Sequence, residues 1–162
     1  MSSAQHVLNA ARARKVRIAT AESCTGGMII AALTDIAGSS DVVDRGFVTY
    51  SNAAKQQMLG VQAVTLDTFG AVSEQVAAEM ARGALAHSDA GMAVAVTGIA
   101  GPGGSEYKPE GRVCFGLADA QGVRTETVEF GPLGRAHVRQ ATVAHALAML
   151  LDALEKAPRP QP

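Results

Sequence analysis

The chain has 162 residues, 48% of them hydrophobic, with 17 glycines, no tryptophan and a formal net charge of −1. That length fits one domain with its own core, and the composition is too apolar for disorder. The near-zero charge argues against a polyanion partner, and no apolar run is long enough to span a bilayer.

Residues 3–14 suit a first helix, with Val7, Leu8 and Ala11 on one side, and Val16 to Thr20 a first strand. Arg12, Arg14, Lys15 and Arg17 form a basic cluster, but no aromatic residues are interleaved there to stack on bases. After the polar run Ala21 to Gly27, Met28 to Leu33 reads as a buried helix stopped near Gly38. A second strand is expected over Val42 to Tyr50. Ser51 or Asn52 then caps a helix that runs to Leu59, with Gly60 at its C-terminal side. Ser73 caps another, reaching about His87, with Glu74 at its positive end. Met92 to Thr97 is a nearly continuous apolar run, as in a central buried strand. Val113 to Ala118 and Val123 to Phe130 read as a hairpin turning at Asp119 to Gly122. A last helix over 135–155 aligns Val143, Leu147, Leu150, Leu151 and Leu154. This alanine- and leucine-rich helix suggests a self-complementary face and a homodimer.

This order implies a three-layer α/β/α sandwich over 1–156, with residues 157–162 a flexible tail. The early strands need helical crossovers, and the hairpin adds antiparallel pairing. The sheet is therefore mixed but mostly parallel. Cys24 and Cys114 make no disulfide framework, and no leader pattern precedes them. A reduced, cytoplasmic protein is expected.

Three polar stretches each follow a strand, where ligands gather in open α/β sheets. In Thr20 to Gly27, a strand-to-helix turn exposes the Ser23 hydroxyl beside unpaired N–H groups that favour a developing negative charge. The plain alternative is a capped helix whose glycines ease packing. Cys24 competes as nucleophile, because a helix N-terminus can depress a thiol pKa, but it reads better as packing. Cys114 reads as core. In Thr49 to Lys55, Tyr50 and Lys55 are candidate bases for a serine, with an exposed helix lysine as the plain alternative. In Thr97 to Gly104, backbone N–H groups could cradle phosphate. Neither the Walker nor the dinucleotide glycine spacing is present there. His6, His87, His137 and His145 show no metal-ligand spacing.

The segments TAESCTGG, TYSNAAK, GAVSEQVA, AVTGIAGPGG and KPEGRV follow one another from Thr20 to Val113, within a likeness that covers about Val7 to Leu154. Together they resemble the carboxy-terminal domain of the CinA family, whose stand-alone members are nicotinamide-nucleotide amidases. The resemblance implies a five-stranded mixed sheet. It also implies hydrolysis of nicotinamide mononucleotide to nicotinate mononucleotide and ammonia, with no metal or organic cofactor. Position by position, it implies Ser23 as nucleophile and Tyr50 and Lys55 as its activators. Thr25, Gly26 and Gly27 would be donors. Asn52, Thr97, Gly98 and Gly101 would line the nucleotide site, and Arg139 would grip the phosphate bidentately.

The family often has Gly-Asp-Arg before the last helix. Here the run is Leu133-Gly134-Arg135, so an acidic cap is missing. Tyr107 stands where a small or acidic residue is usual. Two rivals remain: a catalytically silent nucleotide- or partner-binding domain, and an amidase acting on another amide.

Overall fold

The computed structural model describes residues 1–156. The expected tail, 157–162, lies outside the described residues. The elements in order are α1 (Ser3–Arg14), β1 (Ile18–Glu22), α2 (Met28–Thr34), a 3-10 turn (Ser39–Asp41), β2 (Val43–Val48), α3 (Asn52–Leu59), α4 (Ala63–Phe69), α5 (Glu74–Ala86), β3 (Met92–Gly98), β4 (Arg112–Asp119), β5 (Gly122–Glu129) and α6 (Arg135–Lys156).

The five strands form one sheet in the order β2-β1-β3-β4-β5. The three strands β2, β1 and β3 are parallel, β4 is antiparallel to β3, and β5 is antiparallel to β4. Only β4 therefore runs against the rest, and the mixed, mostly parallel α/β/α sandwich expected from the sequence is what forms. The side chains alternate across β3. Met92, Val94 and Val96 join the core under α1, α2 and α6, while Ala93 and Ala95 face the core under α3, α4 and α5. Being covered on both faces is why this strand reads as a continuous apolar run.

The alanine face lets α5 come close. An added methyl on Gly116 of β4 would sit 2.5 Å from the Ala77 carbonyl oxygen, and one on Gly83 of α5 would sit 2.0 Å from that of Leu59. Alanine is the better helix former by about 1 kcal/mol. Displacing the main chain of α3, however, belongs at the upper end of the roughly 1–3 kcal/mol cost of overpacking. Gly83→Ala is therefore expected to lose about 2 kcal/mol net. The loss would be read as a lower urea midpoint at unchanged slope.

The structure departs from the sequence expectations in two places. β1 starts at Ile18 rather than Val16, because Lys15 takes a left-handed conformation (φ 57°) and the Val16 N–H returns to the Ala11 carbonyl, closing α1. The helix α4 was not expected, since Gln62 is a poor cap. Glu79 of α5 supplies the cap instead, accepting from Gln62 N at 2.8 Å and Thr65 Oγ1 at 2.6 Å. On α6, Leu147, Leu150 and Leu154 are buried in the core shared with α1 and the sheet, with Val143 and Leu151 packed against it. The stripe expected on one face of α6 is therefore its core face.

Candidate active site

The parallel register places Glu22 beside both Val48 and Val96, so the carboxyl ends of β1, β2 and β3 meet at one edge. After β1 the chain goes to one side for β2 and later to the other for β3. The three polar stretches therefore converge at a topological switch point. Two hydrogen bonds tie them there, Ser23 N to Val96 O and Thr49 N to Glu22 O.

Ser23 and Lys55 meet at this edge. Lys55 lies on α3, whose start is fixed by Ser51 accepting from Ala54 N. Its side chain is only 1% exposed. Its Nζ lies 2.9 Å from Ser23 Oγ, 3.0 Å from the Thr49 carbonyl and 3.4 Å from the Tyr50 carbonyl. Burial pushes the lysine below its ordinary pKa of 10.5. A neutral amine has two N–H groups and one lone pair. The charged form donates to all three oxygens; once a proton is lost, keeping both N–H groups on the two carbonyls leaves the lone pair for the serine hydroxyl.

The Tyr50 hydroxyl does not point to Ser23. The side chain is 62% exposed, and its oxygen accepts from Arg135 Nη2 at 2.9 Å. Cys24 is buried, which pushes its thiol up to about 11. It does not sit on the helix end, and the thiol stays protonated near neutral pH. Cys114 is buried on β4.

The turn differs from expectation in what takes the start of α2. The Glu22 carboxylate, fully buried, accepts from Ile29 N at 2.8 Å and Ile30 N at 3.0 Å. The Thr25 hydroxyl also donates to it, at 2.6 Å. The helix end and the Thr25 hydroxyl are therefore already engaged. Gly26 N donates to Ser23 O. Among the described residues, the N–H groups of Cys24, Thr25 and Gly27 donate to no other residue. Of the turn, however, only Ser23 and Cys24 line the cavity; Thr25 is fully buried, and Gly26 and Gly27 lie outside the lining, so the donors expected at Thr25, Gly26 and Gly27 are not at the site. Gly26 and Gly27 both have positive φ (58° and 106°), which only glycine adopts cheaply.

A cavity of about 250 Å³ is lined by Ser23, Cys24, Tyr50, Asn52, Lys55, Thr97, Gly98 and Arg135, among others. A second, of about 330 Å³, shares Tyr50, Gly98 and Arg135 and runs along the glycine loop from Ile99 to Glu106. A larger hollow of about 430 Å³ lies by the β4–β5 turn, away from all three polar stretches. Convergent polar groups and the buried lysine make the smaller pair the better site. Thr97 is present but its hydroxyl donates to the Ala71 carbonyl. The Gly101 carbonyl accepts from Arg135 Nη1 at 2.7 Å. Arg139 is not in the cavity lining. Its Nε and Nη2 donate to the carbonyls of Cys24 and Thr25, so the edge expected to grip a phosphate holds the serine turn instead.

The profile of the CinA C-terminal domain matches residues 1–154. The chain belongs to the CinA C-terminal domain family. A CinA-like protein from Chlorobium phaeobacteroides is 60% identical over 71% of this chain, which spans 28% of that protein's length. The nicotinamide-nucleotide amidohydrolase PncC of Escherichia coli K12 is 50% identical over 93% of this chain and 92% of its own. The crystal structure of the competence/damage inducible protein CihA from Agrobacterium tumefaciens superposes with a TM-score of 0.90 at 53% identity, covering 95% and 94% of the two chains.

Several residues of this CinA domain escaped the sequence reading. Arg135 lines both cavities but drew notice only for the aspartate missing before it. Lys108 anchors the glycine loop to the carbonyls of Phe69 and Val72. Glu110 accepts from Gly103 N and Gly134 N, bringing a carboxylate to the start of α6 where the family's acidic cap is absent. The KPEG segment carried that signal, although spacing gave no partner for either charge. Tyr107 is fully exposed on a turn at positive φ (63°) and lines neither cavity. Among the described residues no helix is long and apolar enough to cross a membrane, and no group of three potential ligands is arranged to hold a metal ion.

Proposed function

We propose that this chain is a nicotinamide-nucleotide amidohydrolase working through a Ser23–Lys55 pair, and that it acts in the cytoplasm on a small nucleotide with no nucleic-acid or membrane partner. The observation that carries the reading is the 2.9 Å contact between Lys55 Nζ and Ser23 Oγ at the floor of the cavity. Serine paired with lysine is a recurring solution to amide hydrolysis.

Lys55 takes the hydroxyl proton as Ser23 Oγ bonds to the carboxamide carbon. The tetrahedral oxyanion is received beside Ser23 by the Cys24 N–H, Cys24 being the residue of the turn that lines the cavity with the serine. The C–N bond then breaks, Lys55 returns its proton to the leaving nitrogen, and ammonia departs. Water, deprotonated by the same lysine, releases the acid from Ser23. Tyr50, Asn52, Gly98 and the loop through Gly101 line the path to the ring and ribose, with Thr97 fixing the wall. Arg135 stands at the outer end and takes the phosphate, while Arg139 holds the turn.

Ammonia release measured side by side with nicotinamide mononucleotide, nicotinamide and glutamine tests this. Turnover of the nucleotide is expected, and activity on glutamine alone would overturn the assignment. A chain that bound the nucleotide without any turnover would be the silent binding domain.

The pH dependence has a definite sign. Only neutral Lys55 can accept the proton, and burial has moved its pKa below 10.5. The quantity kcat/KM should therefore rise with pH through that lowered value, giving an acid limb. An acid limb that persists in a slow but measurable Lys55→Met variant would assign it to another group.

A further inference from the structure

We infer that Glu22 is a positioning residue for the reaction, holding the Ser23–Gly27 turn so that Ser23 and the adjoining Cys24 N–H stay at the cavity against Lys55; this rests on the amidase reading above. The N-cap of α2 is Gly27, which has no side chain to cap with. The capping carboxylate comes instead from five residues upstream, at the last position of β1. Its Oε1 takes Thr25 Oγ1 and Ile29 N, and its Oε2 takes Ile30 N and, at 3.3 Å, Thr20 Oγ1. One buried carboxylate thus fastens the strand before the turn, the middle of the turn and the helix after it.

Arg139 holds the opposite side. It takes the carbonyls of Cys24 and Thr25. In a planar trans peptide the N–H points opposite to its carbonyl. Drawing Cys24 O toward Arg139 therefore turns Thr25 N–H away from that arginine. The Cys24–Thr25 peptide is thereby fixed from two sides, by Arg139 at the Cys24 carbonyl and by Glu22 at the Thr25 hydroxyl.

Electrostatics alone predicts the reverse of this role. A carboxylate on the helix end cancels the positive dipole beside the reacting carbonyl, so removing its charge would speed the reaction. Positioning predicts a slower one. Glu22→Gln keeps the shape but presents an amide NH2 where a second acceptor is needed. We expect kcat on nicotinamide mononucleotide to fall about 10²-fold with KM within roughly threefold of the parent. Thr25→Val, which loses the hydroxyl bond, should fall in the same direction, and Thr25→Ser should restore it. A purely structural role would lower the unfolding midpoint and leave turnover per folded molecule intact, so thermal melts accompany the kinetics. Unchanged or faster turnover in Glu22→Gln overturns the proposal. Should that variant not fold, equal kcat values for Thr25→Val and Thr25→Ser overturn it. If the parent chain releases no ammonia from the nucleotide, the amidase reading fails and the proposal with it; if the parent turns over and the variants match it, only the proposal fails.

Discussion

Ser23→Ala is expected to cut kcat on nicotinamide mononucleotide by about 10⁴–10⁶-fold, with little change in KM. The side chain is small and 8% exposed, and the loss of one oxygen leaves a gap too slight to disturb the turn. The main chain on either side is fixed independently, by Val96 O before it and by Glu22 and Arg139 after it. Lost turnover would therefore report the missing nucleophile. A burst of ammonia in the first turnover of the parent enzyme, followed by slower steady release, would show that acyl transfer precedes hydrolysis. A Ser23→Ala variant that kept most of its turnover would leave water as the attacking group and reduce the serine to a hydrogen-bond donor.

Lys55→Met is the second large effect, expected to cost about 10²–10⁴-fold in kcat. Methionine has nearly the length of lysine and fills the same space without the amine. The loss should not add to that of Ser23→Ala, because a nucleophile and its base act as a unit; the double variant should be about as slow as the slower single one. Multiplicative losses would mean that the two residues work separately. Stability should move the other way at low pH. The folded-state pKa of Lys55 lies below its unfolded value. Below both values the lysine is charged in both states, and the folded protein carries the full burial penalty. Between them the unfolded chain binds the extra proton, so wild-type stability rises with pH through that window. Lys55→Met removes the penalty, so relative to wild type it should be more stable below the lowered pKa than above the unfolded value. Denaturant melts across that range would show the trend or its absence.

Much of the molecule is legible in its sequence. The nearly continuous apolar run Met92 to Thr97, the capping residues Ser51 and Ser73, and the turn Asp119 to Gly122 are local signals, and each formed the element expected of it. Convergence of the three polar stretches also followed from strand order, since parallel neighbours must end at the same edge. The helix α4 was not legible, because its cap is Glu79, 17 residues away from Gln62.

Residue types at a strand-to-helix turn determined that a serine, a lysine and a glycine loop would share one edge of a parallel sheet, because backbone periodicity and turn chemistry act within a few residues. Only the tertiary structure decided which partner each took: Lys55 on Ser23, Tyr50 on Arg135, Glu22 on the end of α2, and Arg139 on the serine turn rather than the cavity. The physical reason is burial. A charged side chain enclosed by a fold must find its counterpart wherever packing brings one within about 3 Å, and separation along the chain carries no information about that distance.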